Sequence, residues 1–214
     1  MRFLEPPAVA DLAGAIAPRF RALVLTAAYT GCRFGELAGL RQTNLNLLRQ
    51  ALTVVETLTE VKGIVSLSAP KTAAAARQVS LPKSLVEELA QHLARWPTSS
   101  GGFVFASANG ASIRRTNFRR RFWLPAVRSS VGEPFRFHDL RHTHAAILIA
   151  QGEHPKVIQS RLGHSSIQVT LDTYGHLFEG LDQAAAERLD EVFRQIPADS
   201  SRTLEQSKVL EIAT

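Results

Sequence analysis

The sequence predicts an α+β chain, mainly α-helical, carrying one small three-stranded antiparallel sheet. Three observations predict it. Most of the chain repeats its apolar residues at helical spacing. Residues 51 to 82 switch to short β-rich runs separated by turns. The 214 residues, 45% of them hydrophobic, are enough to bury one substantial core.

Taken in order, residues 7 to 17 place Val9, Leu12, Ala13 and Ile16 on one helical face. Pro18 separates this helix from a second over residues 19 to 30. Gly31 and Gly35 break the pattern around Arg33, and a short helix resumes through Leu40. Leu52, Val54 and Val55 predict one strand, Ile64, Val65 and Leu67 a second, and Gln78 to Leu81 a third. Lys83 to Arg95 is amphipathic, with Leu85, Val86, Leu89 and Leu93 on its apolar side. After a loop from Thr98 to Gly102, Ser112 is the expected cap of a helix reaching about Ser129. Further helices are expected over 138–151, 155–162, 166–173 and 181–194, followed from Pro197 by a polar tail. No internal repeat or low-complexity tract is present.

A formal charge of +6 and a pI of about 10.1 favour a polyanionic partner without choosing among DNA, RNA and anionic lipid. The densest positive charge is Arg114, Arg115, Arg119, Arg120 and Arg121, on the helix expected after Ser112. One cysteine, Cys32, excludes an internal disulfide and a zinc–cysteine cluster. No apolar run is long enough to span a membrane and no signal-peptide pattern opens the chain, so a cytoplasmic location is the default expectation.

The segment from His138 to Tyr174 carries the chemistry. His138 and Arg141 are three apart, on one face of a helix. His164 follows a helix-ending glycine, and Tyr174 comes ten residues later. Two imidazoles, a guanidinium and a phenol suit reaction at an anionic group, with the phenol as nucleophile. Arg33, between a helix end and a glycine turn, is a natural anion clamp, and Glu36 three residues on could hold it in position. Lys71, between the second and third expected strands, could swing into a cleft and deliver a proton. His138 and His142 have the i, i+4 spacing of a metal pair, but no Glu or Cys nearby completes a ligand set and Arg141 would repel a cation. No metal and no cofactor are therefore expected. His144 and His154 read as surface or core-edge residues, His176 stays ambiguous, and Tyr29 reads as a packing residue in an apolar helix.

Together, Thr30-Gly31-Cys32-Arg33-Phe34-Gly35-Glu36-Leu37, Pro70-Lys71-Thr72, His138-Asp139-Leu140-Arg141-His142-Thr143, Leu162-Gly163-His164 and Thr173-Tyr174 resemble the tyrosine recombinase (phage integrase) family. The pieces follow the family's order from near residue 5 to about residue 180. The resemblance implies a tyrosine recombinase catalytic-domain fold over residues 1–196, without the family's N-terminal core-binding domain, and a tail over 197–214. It implies that Tyr174 attacks a DNA phosphate while Arg33 and Arg141 stabilise transition-state charge. His138 would assist proton transfer, His164 would hydrogen-bond the phosphate, and Lys71 would protonate the leaving 5′-oxygen.

Double-stranded DNA is the implied partner, with a homotetramer on DNA and a monomer or weak oligomer without it. The implied setting is the cytoplasm of a bacterial cell or phage-infected host. Leu204, Val209, Leu210 and Ile212 in the tail could dock on a neighbouring subunit. Two other readings stay open: a type IB topoisomerase-like activity with the same chemistry, and a DNA-binding module without catalysis that reads DNA through its arginine-rich helix.

Overall fold

The computed structural model describes residues 1–69, 75–98, 102–132, 134–178 and 181–194. Helix α2 (Arg21–Thr30) lies at the centre of the core, because Ala22, Leu23, Val24, Ala27 and Ala28 leave it apolar on nearly every side. Its two buried threonines, Thr26 and Thr30, satisfy their hydroxyls on the carbonyls one turn earlier, Ala22 O and Thr26 O. Helices α1 (Pro6–Ala15), α4 (Lys83–Arg95) and α7 (Asp139–Ala150) pack around α2. Each fully buried Leu or Val contributes about 1.5–3 kcal/mol. The short α3 (Phe34–Ala38) follows α2 directly.

The expected three-stranded antiparallel sheet is present, with a different membership. Its order is β1 (Leu45–Asn46), β2 (Ala51–Val54), β5 (Arg77–Ser80), with Leu52 opposite Val79 and Val54 opposite Arg77. Ile64 to Leu67, expected in the same sheet, belongs instead to a separate hairpin of β3 (Thr57–Val61) and β4 (Ile64–Ser68). The hairpin closes on Lys62 and Gly63, both at positive φ (49° and 79°), the backbone of a two-residue turn whose twist matches its strands. Lysine is an unusual residue there, which hid the turn. Val61 and Ile64 flank that turn and are exposed.

Ser112 does not cap the arginine-rich helix; it pairs with Ala106 in an isolated bridge. The helix starts as α5 (Arg115–Phe118) with Arg114 at its N-cap, widens through a π-type turn over Arg119–Trp123, and continues as α6 (Leu124–Ser130). The wide turn lets Phe118 and Trp123, five apart, both enter the core while Arg119, Arg120 and Arg121 stay exposed. Trp123 donates its indole N–H to Phe135 O at 2.9 Å. Phe34 and Phe137 meet edge to face at 5.2 Å, and both pack on Phe118.

Helices α8 (Pro155–Leu162) and α9 (Ile167–Tyr174) follow α7 as expected. His154 is exposed and caps α8, its ring accepting from Lys156 N. Helix α10 (Leu181–Arg194) belongs to a second unit, since contacts divide the chain into Met1–Leu177 and Phe178–Thr214, whereas the sequence reading put its boundary at 196. The tail residues Leu204, Val209, Leu210 and Ile212 lie outside the described residues. Among those described, no helix is long and apolar enough to cross a membrane.

Gly31 ends α2 in the left-handed conformation at φ 68°, and a Cβ there would come within 2.6 Å of Leu162 Cδ2 and 2.7 Å of His144 Cδ2. Both strain and overlap oppose any side chain. Gly31→Ala is expected to lower stability by about 2–4 kcal/mol, read from the denaturant midpoint. An unchanged midpoint would show that α7 and α8 move apart freely.

His144 is a core residue, 3% exposed, not the surface or core-edge histidine that the sequence suggested. Arg161 Nε donates to His144 Nε2 at 3.1 Å, so the ring is neutral and Nδ1 donates to Ala28 O at 3.2 Å. Burial, reinforced by Arg161, Arg141 and Arg77, lowers its pKa to about 3. Between that value and about 6.5 the unfolded chain binds a proton that the folded chain refuses. Stability should therefore fall as pH drops through this window, by up to about 1.4 kcal/mol per pH unit from this residue. Thermal melting from pH 7 to pH 5 tests it. His144→Asn should flatten the slope, and an equal slope in that variant would remove His144 as its source.

Candidate active site

The turn between α2 and α3 builds the first half of the site. Arg33 is the N-cap of α3, and its backbone N–H donates to Glu36 Oε2 at 2.8 Å. Its Nη1 donates to Glu36 Oε1 at 2.9 Å, leaving the rest of a partly exposed guanidinium available. Glu36 is buried, and a second arginine reaches it from β5: Arg77 Nη1 lies 3.2 Å from Oε1 and Nη2 3.0 Å from Oε2. Burial alone would raise the carboxyl pKa, but the Arg77 and Arg33 guanidiniums hold it below the ordinary value. Arg77 also donates to Arg161 O and Ala75 O, so its place is fixed on three sides.

Helix α7 supplies the second half. Arg141 is 3% exposed and donates Nη1 to Gly31 O at 2.8 Å, taking up a carbonyl at the end of α2. Its Nη2 is buried with no hydrogen-bond partner among the described residues, so this nitrogen is available to an anion. Burial, then the nearby Arg33, lower its pKa to about 10, still well above neutral pH. His138, at the N-cap of α7, is exposed at one edge. Partial burial and the positive potential of His142, Arg141 and Arg33 lower its pKa to about 4. Asp139 turns away from the site and pairs with Arg136, with Nη2 2.7 Å from Oδ1.

Helices α8 and α9 close the constellation. Gly163, at φ 69°, ends α8 and sets His164 beside α9. Thr170 Oγ1 lies 2.9 Å from His164 Nδ1, which fixes the ring and leaves Nε2 as its outward nitrogen. Burial and three arginines, Arg141, Arg33 and Arg77, lower the His164 pKa to about 4. Tyr174, the last residue of α9, is 1% exposed and stacks on His164 at 6.5 Å. Its phenol oxygen is 3.0 Å from His142 Nδ1. Burial raises the phenol pKa, against the opposing pull of Arg141 and Arg33.

Arg33, Glu36, His138, Arg141, His164 and Tyr174 thus share one electrostatic neighbourhood. Lys71 lies outside the described residues. Arg114, Arg115, Arg119, Arg120 and Arg121 are all exposed, but only Arg115 and Arg119 line the cavity of about 1050 Å³ that Arg33 and His138 also line. His176 is exposed in the turn Gly175–Leu177. Among the described residues no cluster of three or more His, Cys, Asp or Glu is suited to hold a metal.

Sequence reasoning missed Arg77 and Thr170, and it weighed His142 only as half of a metal pair. An arginine in a strand and a threonine in a helix carry no distinguishing signal by themselves. Chemically, the site can hold an anion between two guanidiniums and neutral imidazoles, with a phenol beside it.

Residues 2–180 match the phage integrase family. The chain is 31% identical over 186 residues to the ICEBs1 integrase of Bacillus subtilis (strain 168), covering 81% of this chain and 49% of that protein. It is 30% identical over 199 residues to a XerC-like tyrosine recombinase of Caldanaerobacter subterraneus subsp. tengcongensis, covering 82% and 50%. The chain therefore spans about half the length of these relatives. In fold it is similar to the Tn1549 transposon integrase in complex with circular intermediate DNA (TM-score 0.74, 22% identity, 88% of this chain and 67% of that one). It is also similar to the catalytic domain of bacteriophage HP1 integrase (TM-score 0.58, 21% identity, 87% and 94%). With the family matched across most of its length and the fold shared with tyrosine recombinases, the chain belongs to the phage integrase family.

Proposed function

We propose that this chain is the catalytic part of a site-specific DNA recombinase that cuts and rejoins strands through Tyr174. The observation that carries the reading is a buried phenol within the field of Arg33 and Arg141. The phenol oxygen forms a bond to phosphorus while the bond to the 5′-oxygen breaks. A 3′-phosphotyrosyl link and a free 5′-hydroxyl result. Arg33 and Arg141 hold the non-bridging oxygens, where charge grows in the transition state. His164 donates Nε2–H to the same phosphate, His138 assists proton transfer, and Lys71 protonates the departing 5′-oxygen. Because the covalent link keeps the phosphoryl group activated, rejoining needs no ATP.

The partner is double-stranded DNA, attracted by the net positive charge and by Arg115 and Arg119 beside the site. Assembly into a homotetramer on DNA belongs to the same reading, as does work in the cytoplasm of a bacterial cell or phage-infected host.

Incubated with negatively supercoiled plasmid in excess EDTA, the chain should relax it and form a covalent protein–DNA adduct, since arginines supply the charge stabilisation. Tyr174→Phe removes one hydroxyl and no charge, so it should abolish the adduct and leave DNA affinity within about twofold. An adduct in that variant would move the nucleophile elsewhere. Relaxation that stops on chelation and returns with a divalent ion would revive the metal reading of His138 and His142.

Lys71→Ala should slow cleavage by about 10²–10⁴-fold, the usual worth of a general acid. A substrate with sulfur in place of the bridging 5′-oxygen leaves as a thiolate and needs little protonation. On it, Lys71→Ala should cleave nearly as fast as the unaltered chain, whereas Arg141→Ala should not recover. Failure of sulfur to rescue Lys71→Ala would assign the proton to another residue.

A further inference from the structure

The family resemblance gives His138 the proton transfer at the nucleophile, but His138 makes no hydrogen bond to Tyr174 among the described residues. That bond belongs to the next histidine along the same face of α7. His142 Nδ1 lies 3.0 Å from the phenol oxygen, and the two rings meet at 63° with centroids 5.7 Å apart. His138, one helical turn earlier, packs edge to face on the His142 ring at 5.3 Å. The phenol is 1% exposed, so bulk water has little access to take the proton.

We propose that His142 is the base that accepts the Tyr174 phenol proton during attack. The proposal rests on Tyr174 as the nucleophile. The charged and titratable groups around His142 are Asp139, Arg136, Arg141, His138, Tyr174 and the amino terminus. Burial is the largest influence on the imidazole and keeps it neutral at pH 7, with a lone pair free on Nδ1 when Nε2 carries the proton.

A base is needed. A phenol with a pKa of about 10 is ionised to only about one part in 10³ at pH 7, and burial lowers that fraction further. Placing an acceptor on the oxygen is worth about 10²–10⁴-fold, which matches the deficit.

The step balances within the site. The O–H bond breaks as an N–H bond forms on His142 Nδ1, and the released electron pair makes the bond from oxygen to phosphorus. The bond to the 5′-oxygen breaks, and that oxygen takes its proton from the leaving-group side. In rejoining, the 5′-hydroxyl attacks and His142 returns its proton to the phenolate. His138 then acts beside the phosphate and against the His142 ring, one residue removed from the phenol proton.

Two measurements test this. The first uses the chain without DNA: ¹⁵N NMR of the histidine rings should find His142 Nδ1 unprotonated, with a resonance that moves in Tyr174→Phe. A protonated Nδ1 would make His142 a donor to the phenol and overturn the proposal.

The second measures single-turnover adduct formation on supercoiled plasmid with natural tyrosine at 174, then with the more acidic 3,5-difluorotyrosine. With tyrosine, His142→Ala should slow the adduct by about 10²–10⁴-fold; with the fluorinated phenol the loss should shrink to about tenfold or less. His142→Asn keeps a hydrogen-bonding group near the Nδ1 position without a basic nitrogen. It should behave like His142→Ala, and it serves if the alanine variant unfolds.

Equal losses with both phenols would reduce His142 to a holder of Tyr174 and overturn the proposal, as would no loss at all. If the unaltered chain forms no adduct, or Tyr174→Phe still does, the nucleophile assignment fails first and this proposal falls with it.

Discussion

The buried carboxylate of Glu36 is the contact on which the rest of the site depends. Three guanidiniums, those of Arg33, Arg77 and Arg141, act within one partly buried region, and their mutual repulsion would spread them in a low-dielectric interior. Glu36 bonds two of them directly and draws on the third electrostatically. Each partner is held from elsewhere in the fold: Arg77 by β5 and Arg161 O, Arg33 by the N-cap of α3, and Arg141 by Gly31 O. Removing one member of such a buried pair commonly costs about 3–5 kcal/mol, because the remaining charge is left without its partner.

The aromatic packing beside the site enforces the same geometry from below. Phe34 follows Arg33 in sequence and Phe137 precedes His138, and the two rings touch edge to face at 5.2 Å. Two site residues from distant parts of the chain are therefore tied together by the side chains next to them, both of which rest on Phe118. The catalytic side chains can then stay polar and partly exposed without having to pack for stability.

Much of this was legible before any coordinates. Helices α4, α7, α8 and α9 announce themselves through apolar spacing and glycine or proline ends, and Arg33, His138, Arg141, His164 and Tyr174 lie in short motifs whose order is itself informative. What was hidden depends on contacts between segments far apart in sequence. Arg77 looks like any strand arginine until Glu36, 41 residues away, turns out to be its partner. Thr170 looks like a helix interior residue until it fixes His164. His142 reads as a neighbour of Arg141 until α9 brings the phenol to it. Sheet membership failed for a local reason: Lys62 occupies a left-handed turn position that usually signals itself through Asn or Gly.

The π-type turn over Arg119–Trp123 sets the phase of everything after it. In a regular α-helix each residue advances the face by about 100°, so one residue more or fewer rotates all later side chains by that angle. The wide turn absorbs one extra residue: Phe118 and Trp123 share a face at a separation of five, and Ala126 and Val127 stay in the core beyond them. Losing any one of the three central arginines would therefore do more than subtract a charge. It would turn the indole of Trp123 out of its bond to Phe135 O and swing Ala126 and Val127 toward solvent, while replacing an arginine by another residue of similar size would leave the phase intact. Insertions and deletions in this helix are thus constrained far more tightly than the identities of its exposed residues.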